Sequence, residues 1–299
     1  MTDRSDTAAL PEPAVLARAL FGLLDVEELD TNLFRGHRDE HPDGRARVFG
    51  GQVIAQALQA ATKTADEGRP VHSLHAYFVR PGDPDRPVLY RVERDLDGRS
   101  FSNRRVVAIQ QGKTILNLSC SFHTPEEGLS HADAMPDVPG PEDLPTDADI
   151  AAGLSLPEGF RAWMARPRPI ELRRVTTTML RAEKSEPLHH MWFRAAASPP
   201  DEHGLSAAVL AYASDMALLG TAMMPHGVNW MTKGMRAASV DHALWFHDEV
   251  RMGEWHLYTT TSPWAGRARG FNLGQVFRQD GTLVASVAQE GLIRYRPDA

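Results

Sequence analysis

The chain predicts an α+β fold made of two copies of one unit, a central helix with an antiparallel sheet wrapped around it. Three observations carry this. Each half has one apolar segment at helical spacing followed by four or more strand-like runs. The order then recurs with shared residues: His75-Ala-Tyr-Phe lines up with His242-Ala-Leu-Trp 167 residues on, and Gly112 with Gly281 169 residues on. Short Asp-Gly or Gln-Gly turns at 97–98, 111–112 and 280–281 join successive strands, as an antiparallel sheet requires. A long helix that must bury all round, beside several strands, finds that cover in a sheet curled about it.

The elements follow in order. Residues 1–12 are polar and read as a loose tail. Apolar residues at helical spacing predict a helix over Pro13–Leu24, with Pro where a helix can start. A short strand is predicted at 30–35 and the first central helix at about 51–64. Strands are then expected at 71–80, 87–95, 100–110 and 113–123. Residues 124–160 are rich in Pro, Asp and Glu and hold no Lys or Arg, the composition of a surface linker. Beyond it, strands are predicted at 170–178 and 188–197 and the second central helix at 205–219. Further strands follow at 239–247, 255–261, 269–278 and 282–295. The division is 1–123 for the first unit, 124–168 for the linker and 169–299 for the second unit.

Composition excludes several classes. A net charge of −7 argues against nucleic acid as the partner. One cysteine, Cys120, rules out an internal disulfide and suits a reducing compartment. The start of the chain lacks a hydrophobic signal region, no apolar run reaches the ~18 residues of a membrane span, and the chain ends in YRPDA. A cytoplasmic protein with no membrane span is the expectation. There is no GxSxG elbow, GxGxxG or P-loop. The pairs His189-His190 and His242 with His247 lack the spacing of a zinc site, so no metal is expected. Cys120 shares a strand parity with Leu116, Leu118 and Phe122 and reads as a small buried hydrophobe.

Two polar residues stand out on apolar faces. On a helical wheel for 205–219, Ala208, Ala211, Leu219 and Ala222 fall within about 40° of Asp215. Asp215 therefore points at the core. It either reaches solvent at the helix edge or has hydrogen-bonding partners and a task, because a buried unpaired carboxylate is costly. In the last strand, Gln289 shares its parity with Ala285, Val287, Gly291 and Ile293. It is either an amide that ties down backbone or part of a site.

Seven stretches in order are similar to the acyl-CoA thioesterase II family: RVFGGQVIAQAL (47–58), HSLHAYFVRPGD (72–83), DGRSFSNRRVVAIQ (97–110), YASDMALL (212–219), SVDHALWFH (239–247), ARGF (268–271) and ASVAQEGLIR (285–294). The resemblance implies a tandem, or double, hotdog fold. It implies hydrolysis of acyl-CoA thioesters to free fatty acid and CoA without a cofactor, an acyl-CoA substrate and assembly into a homo-oligomer. It also implies a catalytic set of Asp, Thr and Gln that positions a water, which falls at Asp215, Ser239 and Gln289. Ser239 departs from the family's Thr: the hydroxyl is kept, and the methyl that restricts χ1 is lost.

Beside this, Gly50-Gly51 opens the first helix, whose N-terminal N–H groups suit a developing oxyanion. The backbone N–H groups of Gly51 and Gln52 are the candidate donors; alternatively the glycines only permit a tight helix entry. Arg99, Arg104, Arg105, Arg267 and Arg269 either meet CoA phosphates or form a solvated sheet edge. In the first copy Cys120 falls in the slot of Gln289 and His72 in that of Ser239, and the first helix has no carboxylate, so one site per chain is expected. The alternatives to hydrolysis are a non-catalytic acyl-CoA-binding or sensing module, and a hotdog enoyl-CoA hydratase, whose His/Asp motif is missing here.

Overall fold

The computed structural model describes residues 11–39, 46–200 and 204–297. Residues 1–10 of the expected tail lie outside them.

The first copy begins with α1 (Pro13–Leu24), bounded as predicted, which buries Ala17, Leu20, Phe21 and Leu24. The strand expected at 30–35 is instead a hairpin, β1 (Val26–Asp30) and β2 (Leu33–Gly36), turning at Thr31-Asn32 with Asn32 at φ 59°. Asn tolerates this left-handed backbone, a turn signal that an apolar-run reading passes over. The central helix α2 (Gly50–Thr62) is buried from Gly51 through Ala61. Around it lie β3 (Val71–Phe78), β4 (Leu89–Asp97), β5 (Phe101–Gln110) and β6 (Lys113–His123), with Gln111 and Gly112 both at positive φ in the β5–β6 turn.

The acidic stretch is more ordered than a linker needs to be. It carries a short 3₁₀ turn at Pro141–Asp143, α3 (Asp147–Gly153) and α4 (Glu158–Ala165). A capping box between Thr146 and Asp149 opens α3. Asp147 is buried against Arg168 and Arg174, at 3.3 and 2.7 Å. Ile150, Ala151, Met164 and Leu180 form a small core of their own. Upstream, Met135, Val138 and Leu144 lie on the Trp192, Trp255, Leu257 and Phe277 cluster, and the Trp192 indole donates to the Pro139 carbonyl at 2.9 Å. The stretch therefore covers apolar surface on the second copy's sheet.

The second copy holds β7 (Ile170–Arg174), β8 (Leu188–Ala195), α5 (Leu205–Ser214), β9 (Met235–Ser239), β10 (Asp241–Phe246), β11 (His256–Gly266), β12 (Arg269–Arg278) and β13 (Leu283–Tyr295). Its central helix is shorter than predicted. α5 stops at Ser214, Asp215 is its C-cap at φ −82°, ψ −9°, and a 3₁₀ segment Leu218–His226 continues the path. The apolar pattern runs through the break, so periodicity alone does not reveal it. By length and composition Leu205–His226 is apolar enough to cross a bilayer. Here 72% of that window is buried inside the protein, so its apolarity serves the core.

The thirteen strands of the described residues form one sheet in the order β1-β2-β4-β5-β6-β3-β10-β13-β12-β11-β8-β7, with β9 also on β13. The two copies meet at β3 and β10, antiparallel, with His242 opposite Ala76 and Leu244 opposite Leu74. The concave faces enclose α2 and α5, which pack on each other with Phe49 edge-on to Tyr212 at 5.0 Å. This is a double hotdog.

The pairing shifts the internal alignment by one residue. Leu74 and Arg104 lie opposite Cys120 in the first copy, and Asn272 lies opposite Gln289 in the second. Ser239 pairs with Gly291 as Val71 pairs with Phe122. The first-copy counterpart of the buried His242 is thus Leu74, not the exposed His75, and that of Ser239 is Val71, not His72. One residue of slip exchanges the two faces of a strand, which is why matching letters misled here.

Candidate active site

Asp215 sits where α5 ends, and its side chain is only 5% exposed. Three groups donate to it. The Gln289 amide Nε2 reaches Oδ1 at 2.7 Å, the Ser239 hydroxyl reaches the same oxygen at 3.4 Å, and the backbone N–H of Gly51 supplies the third. Burial, which disfavours the charged form, is the largest influence on the carboxyl and pushes its pKa up to about 6, with the three donors acting against it. A carboxyl poised there is ionised at neutral pH and still basic enough to take a proton.

The donors come from separate places in the chain. Gln289 lies on β13 with its side chain fully buried, as its strand parity requires. Ser239 ends β9 instead of beginning a strand; the backbone breaks at Val240 before β10. Gly51 belongs to α2 of the other copy, so the site straddles the two units. A Cβ on Gly51 would lie 2.6 Å from the Tyr212 carbonyl oxygen and from the Phe49 ring, closer than packing permits. Glycine is what lets α2 approach α5 closely enough to reach the carboxylate. Gly51→Ala is therefore expected to destabilise the fold by about 1–3 kcal/mol and to weaken the N–H contact to Asp215, read as a fall in both melting temperature and rate.

Of the two expected oxyanion donors, the Gln52 N–H donates to the Phe49 carbonyl at 3.1 Å, and the Gly51 N–H faces the Asp215 carboxylate.

Asp215 and Ser239 open onto a groove of about 800 Å³. Its walls include Gly50, Val53, Phe78, Ile115 and Leu219 from the two copies, Trp230 and Met231 after the 3₁₀ segment, and Phe160 and Trp163 from α4. Gln289 is not among them and meets the groove only through Asp215. Phe160 and Trp163 stack at 5.3 Å, and the Arg168 guanidinium covers the Trp163 ring at 3.9 Å. Composition marked this region as linker, and its FRAWMA segment was the one signal of an aromatic wall.

The basic residues singled out from the sequence do not line the groove. Arg104 is 1% exposed; it donates to the Thr64 hydroxyl and carbonyl, the Leu96 and Asn103 carbonyls and Asp97. It holds the C-terminal end of α2 and cannot meet a phosphate. Arg105 pairs with Glu93 and Asp95, and Arg269 with Glu290 at 3.2 Å while lying over Trp264. Arg99 and Arg267 are away from the groove, Arg267 in the β11–β12 turn at φ 51°. The arginines at the groove are Arg47 and Arg80, which sit singly inside the RVFGG and FVRPGD stretches, where no cluster of charge marks them. Cys120 is buried as read, its thiol pushed up to about 12 by desolvation.

Comparison with known proteins gives one answer for both halves. Residues 37–123 match the model of the acyl-CoA thioesterase N-terminal domain, and residues 165–292 that of acyl-CoA thioesterase. The chain is 40% identical to acyl-CoA thioesterase 2 of Haemophilus influenzae over 280 residues, 92% of this chain and 97% of that protein. Human acyl-coenzyme A thioesterase 8 is 42% identical over 287 residues, 92% of this chain and 88% of that one. Among solved structures, acyl-CoA thioesterase II TesB2 of Mycobacterium marinum superposes with a TM-score of 0.76 at 38% identity, covering 93% of this chain and 99% of that one. With both halves matched and identities of this size along nearly its whole length, the chain belongs to the acyl-CoA thioesterase II family.

Proposed function

We propose that the protein hydrolyses acyl-CoA thioesters to free fatty acid and CoA, with Asp215 as general base on a water in the groove. The observation that carries this is a buried carboxylate with a raised pKa at the wall of a large, mainly apolar groove. Oδ1 is occupied by Gln289 and Ser239, and Oδ2 lies on the Gly50 side. Asp215 takes a proton from the water as its oxygen attacks the thioester carbonyl, and the tetrahedral intermediate collapses with loss of the CoA thiolate, which takes that proton back from Asp215. Ser239 orients the water and the carboxylate; Gln289, buried behind them, holds the carboxylate in place. Gly50 opens α2 at the groove, so its N–H supports the oxyanion in place of those of Gly51 and Gln52. Arg47 and Arg80, at the groove, serve the CoA phosphates. The family relatives, named as acyl-CoA thioesterases, support the reaction class.

In this proposal 124–168 is more than a tether between the units 1–123 and 169–299, because α4 supplies the aromatic wall against which an acyl chain lies. Trp163→Ala removes that contact. Losing cover over two methylenes is worth about 1.6 kcal/mol, roughly tenfold. The variant is therefore expected to lose about tenfold in kcat/KM on long acyl-CoAs and little on short ones. An equal loss at every length would remove the role of α4. Fatty acid metabolism, a cytoplasmic location and homo-oligomeric assembly complete the proposal. The deciding assay for hydrolysis is thiol release from a series of acyl-CoAs: no release at any chain length would leave only the acyl-CoA-binding module.

A further inference from the structure

His242 takes no part in the steps above, yet it is fully buried beside them. We propose that His242 and Ser214 are positioning residues: Ser214 holds His242 as its Nε2–H tautomer, and the bare Nδ1 then turns the Gln289 amide so that its NH₂ faces Asp215. This rests on Asp215 being the base.

The direction of every bond in this relay follows from its ends. A carboxylate only accepts, so the Gln289 group 2.7 Å from Asp215 Oδ1 must be the NH₂. The same Nε2 lies 3.0 Å from His242 Nδ1, which must then accept. A neutral ring that accepts at Nδ1 carries its hydrogen on Nε2, which is 2.9 Å from Ser214 Oγ. Ser214 Oγ accepts that hydrogen and passes its own to the Ala211 carbonyl at 3.0 Å. No contact conflicts with this order.

The ring must be neutral for the relay to run this way, and burial holds His242 at a pKa of about 4. The 4.0 Å approach of His242 Nδ1 to Asp215 Oδ1 is therefore not an ion pair at neutral pH. The titratable groups that face the carboxylate are His242 from β10 and Tyr258 from β11. The Tyr258 hydroxyl donates to the Ser214 carbonyl at 3.0 Å and is pushed up by burial and by the Asp215 charge.

Gln289 needs such a guide. Its Oε1 is buried with no hydrogen-bond partner, so nothing at that end fixes the amide. The two amide orientations have nearly the same shape, and the partners at Nε2 decide between them. With the hydrogen on Nδ1 instead, the ring would call for the amide oxygen, and that oxygen would face the carboxylate. Tautomer and amide orientation thus change together. In the first copy the matching positions are Leu74 and Cys120, which can carry no such relay.

The test uses the full-length protein. Long-range ¹H–¹⁵N spectra of the histidine-labelled chain, with the His242 signal assigned by its loss in His242→Gln, report the tautomer directly. The expected result is a protonated Nε2 and a bare Nδ1. A protonated Nδ1 in the unsubstituted protein overturns the proposal, and this arm needs no variant of Ser214 to fold. Ser214→Ala removes the acceptor of the Nε2–H without touching the groove. It is expected to lower kcat roughly tenfold or more with KM little changed, and to move the acid limb of the rate profile up by about one pH unit. A profile that superposes on the wild type also overturns the proposal. If the unsubstituted protein releases no thiol from any acyl-CoA, the hydrolase reading fails alone, and the spectra still decide the tautomer.

Discussion

Asp215→Asn is expected to cut thiol release by about a hundred- to ten-thousandfold, the contribution of a positioned general base. The amide cannot take the water's proton, while its oxygen still accepts from Gln289, so the site is preserved in shape. The same substitution is expected to stabilise the fold. A carboxyl raised in the folded state favours folding below its unfolded value and loses that advantage as pH rises through its folded value. For Asp215 the window runs from about 3.8 to about 6, so above it the wild type carries the full cost of a buried charge. A two-unit shift corresponds to roughly 3 kcal/mol at most. Melting temperatures should therefore be higher for Asp215→Asn at pH 8 and converge with the wild type near pH 4. In the wild type, kcat/KM should fall as pH drops through about 6, because the base becomes protonated. Equal rates for the two proteins would remove the role of Asp215; a melting difference that grows toward acid pH would contradict its raised pKa.

Arg104→Met should unfold the protein more readily than any groove substitution. The guanidinium is fully buried in the first copy, and its donors satisfy the Thr64, Leu96 and Asn103 carbonyls, the Thr64 hydroxyl and Asp97. Methionine fills part of the space and donates nothing. Each buried acceptor left bare costs about 1–3 kcal/mol, so a loss of about 3 kcal/mol or more is expected, seen as a lower denaturation midpoint. Asp97 is half exposed and recovers in water, which keeps the effect below that of a stranded buried charge. Residual activity at low temperature should persist, since Arg104 is remote from the groove. An unchanged midpoint would show that water enters and replaces the guanidinium.

Most of the architecture was readable because its causes are local. Pro13–Leu24, Lys113–His123 and Arg269–Arg278 have the predicted bounds, since a start signal, a turn residue or a parity marks each end. The rest depended on information that spacing does not hold. α5 and the 3₁₀ segment after it are both apolar, so the wheel could place Asp215 inward but not at a helix end. Parity on β13 turns Gln289 into the core, and its meeting with Asp215 is what the family resemblance implies; that Gly51 also faces Asp215 follows from how α2 and α5 pack. Arg104 looked like surface charge because a buried arginine is recognised only by its acceptors, which lie up to 40 residues away. Nothing in its spacing marks His242 as more than a core or surface histidine, because its neighbours Ser214 and Gln289 lie 28 and 47 residues off.

The Gly51 contact ties the Asp215 carboxylate to the packing of the two copies. Asp215 is supplied by one copy and one of its three donors by the other, and the burial that raises its pKa comes from both. Separating the two copies would return water to Asp215 and let its pKa fall toward the ordinary carboxylate range. The titration of this one side chain is therefore expected to report whether the two halves are docked.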